Sequence, residues 1–97
     1  MSESTDPHFY DRADAVIHLA NDQNKDIGRG KVSASLMYAT SRFNAWVSAC
    51  GFDSADDMKS AKHDTIEYFI KQYRAMLEEN LDDYIENFDK YMQKGKS

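Results

Sequence analysis

Between Gly51 and Gly95 the chain holds neither glycine nor proline. A stretch of that length with neither residue has no built-in turn and no forced break, so it reads as helix. Ser54-Ala-Asp-Asp57 opens it with a capping-box pattern, Ser54 as N-cap and Asp57 three residues on. From there a third helix could run for roughly 36 residues, about 54 Å. Its apolar seam is Ile66, Ile70, Tyr73, Leu77, Leu81, Tyr84, Phe88 and Tyr91, with steps of 4, 3, 4, 4, 3, 4 and 3. That is the period of one helix face. The repeated 4 at Leu77 to Leu81 is a stutter, which relaxes left-handed supercoiling locally. Phe69, Met76, Ile85 and Met92 broaden the stripe, and Lys90, Lys94 and Lys96 suit the negative end of the helix dipole.

Two shorter helices precede it. Asp6-Pro7 reads as an N-cap followed by proline at the first helical position. Phe9, Ala13, Val16, Ile17 and Ala20 then recur at helical spacing as far as about Asn24. Asp26-Ile-Gly-Arg-Gly30 breaks that helix, because two glycines so close favour a turn. In the second helix Val32, Leu36, Ala39, Phe43, Trp46 and Cys50 form a heptad-spaced seam, widened by Val47, which places Trp46 in the core. Gly51 stands where a left-handed residue would end that helix, and Phe52 where its hydrophobic contact would fall. The expected organisation is a tail over residues 1–5, one helical domain over 6–92 and a frayed end over 93–97.

Composition fits this reading. Hydrophobic residues make up 41% and charged residues 30% of 97, a globular rather than disordered mix. The net charge of −5 and a pI near 5.0 disfavour nucleic acid and anionic membrane surfaces as partners. No apolar run approaches the roughly 20 residues of a membrane span. The N-terminus lacks the basic and apolar regions of a signal peptide, and the lone Cys50 cannot form an internal disulfide. The expected location is the cytoplasm.

A length mismatch gives the sharpest expectation. The first two helices, each roughly 27 to 30 Å long, can cover only about half of the third. Leu81, Tyr84, Ile85, Phe88, Tyr91 and Met92 would then stay exposed. Burying side chains of this kind amounts to roughly 10 kcal/mol gross for the group, and a monomer seldom leaves such a stripe in water. A second copy related by a two-fold axis is the expected cover. The alternative is a third helix that breaks near Asn80 and folds back. Asn80 and Asn87 could specify register beside the seam.

Other constellations are weaker. Glu78, Glu79, Asp82, Asp83, Glu86 and Asp89 lie off the seam and read as a solvated face, without the Glu-x-x-His motif of helical di-iron sites; the alternative is that carboxylates paired at i, i+4 hold a divalent cation or meet a basic partner. The loop from Asp22 resembles an EF-hand only at first. Ile27 stands where glycine is required and Ser33 where glutamate is required. Gly28-Arg-Gly-Lys-Val-Ser33 offers a candidate anion site, Arg29, Gly30 and Lys31 at a helix start with Arg42 further along the same flank. It is not a Walker A loop, since Val32 occupies the Ser/Thr position and no strand precedes it. His8, His18 and His63 have no metal-ligand spacing with one another or with Cys50. Cys50 at a helix C-terminus reads as a buried structural thiol. No metal, cofactor or catalytic group is expected.

From Gly28-Arg-Gly-Lys-Val-Ser-Ala-Ser-Leu-Met-Tyr-Ala-Thr-Ser-Arg-Phe-Asn-Ala45 and from Glu67-Tyr-Phe-Ile-Lys-Gln-Tyr-Arg-Ala-Met-Leu-Glu-Glu-Asn-Leu-Asp-Asp-Tyr-Ile-Glu-Asn-Phe88, the chain resembles a family of small bacterial proteins known as domain of unknown function 3144. The likeness spans Phe9 to Tyr91 and includes Phe9-Tyr-Asp-Arg-Ala-Asp14. It implies a bacterial cytoplasm and carries no catalytic residues across.

The expected fold is therefore all-α, a two-helix hairpin packed on a long third helix and completed by self-association. The expected function is a non-enzymatic, homo-oligomeric interaction or adaptor module, with an unidentified protein as a further partner. The alternative is a regulator that binds a phosphate-like anion through the Gly28–Ser33 loop.

Overall fold

The computed structural model describes residues 6–93. The expected tail over residues 1–5, and Lys94, Gly95 and Lys96, lie outside the described residues. Five helices follow in order: α1 Phe9–Asn24, α2 Arg29–Ala49, α3 Ala55–Ser60, α4 Lys62–Glu86 and α5 Phe88–Met92. No strand occurs among the described residues. The chain divides into two compact units, Met1–Cys50 and Gly51–Ser97.

In the first unit, α1 takes His8 rather than Asp6 as its N-cap, with no side-chain cap bond, and the Asp6 carboxylate sits just before it. It accepts the His8 backbone N–H at 3.2 Å and pairs with the Arg12 guanidinium. Pro7 sits in the turn before the helix rather than at its first residue. α1 ends at Asn24 as its periodicity indicates. Lys25–Gly28 then reverses the chain, and Gly28 takes φ 110° and ψ 142°, a region that an L side chain enters only with strain.

α2 packs against α1 and supplies Val32, which is 7% exposed and is the buried hydrophobic residue among those described. Leu36, one turn on, is half-buried. The rest of the expected α2 seam is open. Trp46 is 62% exposed, Phe43 and Val47 are exposed, and so is Cys50. The assignment of Trp46 and Cys50 to a core is thus overturned. Periodicity identifies which face of a helix is apolar, not whether anything lies against it. The 21-residue α2, about 32 Å long, outruns the 16-residue α1, about 24 Å. Gly51 is not left-handed, since Gly28 is the positive-φ glycine of the described residues. α2 instead stops on Cys50 in right-handed geometry, its N–H bonded to Trp46 O at 3.1 Å.

In the second unit, Ser54 is extended at φ −153° and ψ 162°, and its Oγ accepts the Asp57 N–H at 3.1 Å. The sequence-predicted cap is in place. The single long helix expected after it is not. Ala61 (φ −93°, ψ 1°) shares its N–H between Asp57 O at 3.2 Å and Met58 O at 3.1 Å, a local tightening that ends α3. Helix resumes when Thr65 N–H reaches Ala61 O at 2.9 Å. A second break falls at Asn87 (φ −111°, ψ 28°). Asn80, the alternative breaking point, stays helical within α4. Phe52, Met58 and Phe69 are the half-buried large apolar side chains of this unit.

Candidate functional site

α4 is 25 residues long, about 37 Å. Six of its residues recur at helical period on one face: Ile66, Ile70, Tyr73, Leu77, Leu81 and Tyr84. All six are exposed. Beyond Asn87 the stripe continues through Phe88, Tyr91 and Met92, also exposed, while Ile85 beside it is 72% exposed and Leu81 is 52% exposed. The sequence argument left only the C-terminal half of this stripe bare. In the structure the N-terminal half, from Ile66 to Leu77, is open as well. α3 and α5, the other helices of the same unit, leave this face uncovered.

The break at Asn87 shapes the far end of the face. Asn87 Nδ2 donates to the Asp83 carbonyl at 3.1 Å and to Asp83 Oδ1 at 2.9 Å. The backbone N–H of Asn87 keeps its ladder bond to the same Asp83 carbonyl at 3.0 Å, so the amide adds a second donor there. Tyr91 Oη then reaches back across the break and donates to Asp83 Oδ2 at 3.1 Å. The hydrogen bond to this carboxylate, together with some desolvation, raises the Tyr91 phenol above its ordinary value, because ionisation would set two anions side by side. The Tyr84 and Tyr91 rings lie 4.8 Å apart at 53°. Asp83, Asn87 and Tyr91 form a clasp that holds α5 against the end of α4. Its signature in the sequence is a polar residue at i, i+4 and i+8, too common on helices to be singled out. Asn80 spends its amide on its own helix too, donating to Met76 O at 2.8 Å.

The remaining candidate residues are scattered. Arg29, Gly30 and Lys31 occupy the first turn of α2, and Arg42 stands about 20 Å further along the same helix, so the four do not converge. α2 has no side-chain cap, and Gly28 and Gly30 face open space. Among the described residues no three His, Cys, Asp or Glu side chains gather as metal ligands. At the N-terminal end, the hydrogen bond to Arg12 comes first in lowering the Asp6 carboxyl below its usual value, and the same pairing raises Arg12. His8 Nδ1 lies 3.1 Å from Asp11 Oδ2. All of these groups are on the surface. No helix of the described residues is long and apolar enough to cross a membrane.

Comparison with known proteins follows the same outline. The family model described as Protein of unknown function (DUF3144) matches residues 9–85. The NMR structure of a protein from Shewanella sp is similar at 42% identity and a TM-score of 0.77, over 91% of this chain and 94% of that one. No curated protein matches the chain.

Proposed function

We propose that this chain, which belongs to the family of proteins of unknown function designated DUF3144, is a non-enzymatic helical module that works by self-association, as an adaptor or interaction protein of the cytoplasm. One observation carries the reading: the apolar stripe of α4 and α5, from Ile66 to Met92, is exposed along its whole length. Contiguous apolar surface of this extent marks an interaction site. A second copy is the partner that the cell supplies at matching concentration, and a two-fold axis would cover both stripes at once.

Light scattering on the eluting protein, across a dilution series through the micromolar range, tests the reading. The expected mass is twice 11.2 kDa or more at the concentrated end, falling on dilution. A constant mass of one chain would overturn it.

A further inference from the structure

The α4 stripe is symmetric about Leu77. Counting towards the N-terminus, apolar residues stand four, seven and eleven positions away, at Tyr73, Ile70 and Ile66. Counting towards the C-terminus they stand at the same intervals, at Leu81 and Tyr84 and, across the break at Asn87, at Phe88 of α5. The stutter between Leu77 and Leu81 creates this symmetry, because an unbroken heptad would place the next residue three positions on rather than four. A continuous parallel coiled coil prefers the unbroken heptad. An antiparallel pair has a different requirement: under a two-fold axis through Leu77, each residue faces the one at equal distance on the other side.

Charge is distributed in the same sense. The half of α4 before Leu77 carries three bases, Lys62, Lys71 and Arg74, against the acids Asp64 and Glu67. The half after it carries five acids and no base. One flank of the stripe, one residue on from each seam position, runs Glu67, Lys71, Arg74, Glu78, Asp82 and Ile85, and its four central members are Lys71, Arg74, Glu78 and Asp82. None of these four belongs to an ion pair among the described residues, where the pairs are His8–Asp11, Arg12–Asp6 and Lys25–Asp22. The two-fold axis keeps a flank on its own side and reverses its direction. Lys71 and Arg74 of one chain would therefore meet Asp82 and Glu78 of the other. Parallel pairing would instead set the five acids of one chain beside the same five acids of its partner, which is repulsive.

From this juxtaposition we propose that α4 is the pairing element of a homodimer in which two copies cross antiparallel, with Leu77 against Leu77 on the axis, Tyr73 against Leu81, and Ile70 against Tyr84. This rests on the self-association reading and specifies its geometry.

Cysteine cross-linking decides the direction. In a Cys50→Ser background, which removes the exposed native thiol, Ile70→Cys and Tyr84→Cys are prepared separately, and circular dichroism verifies that each is helical. Light scattering under reducing conditions is read first, then mild oxidation of each variant alone and of the two mixed. A disulfide needs Cβ atoms about 4 Å apart. The antiparallel pair predicts a covalent dimer in the mixture, and no more than a trace from either variant alone. Tyr73→Cys with Leu81→Cys is the second pair, used if either first variant loses helicity, and the same pattern is expected. Cross-linking of Ile70→Cys to itself would overturn the antiparallel geometry in favour of a parallel one. A two-chain mass with no cross-link in any sample would place the interface elsewhere and overturn it equally. A one-chain mass before oxidation would fail the self-association reading itself.

Discussion

Replacing Leu81 by alanine separates folding from association. Leu81 is 52% exposed in the single chain, so full cover by a partner would bury about half of its side chain. Complete burial of a leucine contributes about 1.5 to 3 kcal/mol, which leaves roughly 0.7 to 1.5 kcal/mol for the uncovered half in one copy. A two-fold dimer contains the site twice, and the expected loss is about 1.5 to 3 kcal/mol of association free energy. At about 1.4 kcal/mol per factor of ten, the dissociation constant should rise between roughly tenfold and a hundredfold. The helix itself should not suffer, since alanine is the strongest helix former and little surrounding structure is left with a cavity. Sedimentation equilibrium over a concentration series measures the constant, and far-ultraviolet circular dichroism measures helicity at a fixed high concentration. Glu79→Ala, on the opposite face of α4, is the control and should leave the constant within a few fold. An unchanged constant for Leu81→Ala, or an equal loss for Glu79→Ala, would refute the claim that this stripe is the pairing face.

Other perturbations test local elements. Ser54→Ala removes the side-chain oxygen that holds the Asp57 N–H and should destabilise the second unit by about 1 kcal/mol in urea unfolding. Gly28→Ala should cost about 1 to 3 kcal/mol although open space awaits the added Cβ, because φ is +110° there. Gly30→Ala, in the first turn of α2 and equally uncrowded, should stabilise by up to about 1 kcal/mol, so opposite shifts in melting temperature are expected from two glycines two residues apart. The Tyr91 phenol is raised in the fold by its bond to Asp83, so its contribution is whole below the ordinary phenol value and lost as pH rises through the raised one. An absorbance titration should show Tyr91 ionising above the ordinary phenol value, and Asp83→Asn should bring it back towards that value.

Much of this architecture was legible in the residues. The end of α1 at Asn24, the Ser54 cap, the turn around Gly28 and the membership of the α4 stripe follow from period and from cap chemistry, which act within a few residues. What was not legible depends on what lies further away. Trp46 has the spacing of a core residue, but spacing describes only its own helix, and the side chain is exposed. The breaks at Ala61 and Asn87 need neither glycine nor proline. Backbone angles near φ −100° and ψ 0 to 30° lie in the bridge region, which residues other than glycine can enter. The apolar members of the α4 and α5 stripe, from Ile66 to Met92, could be named from helical period alone, but period does not say which of them stay exposed.

Isotope-filtered NMR on an equimolar mixture of labelled and unlabelled chains interrogates the stripe itself. Through-space contacts between molecules are expected, from the Leu77 methyls of one chain to Leu77 of the other and from Leu81 to Tyr73. Methyl contacts confined to a single molecule, with Leu77 and Leu81 lying against Phe43 or Trp46 of their own chain, would contradict that pairing.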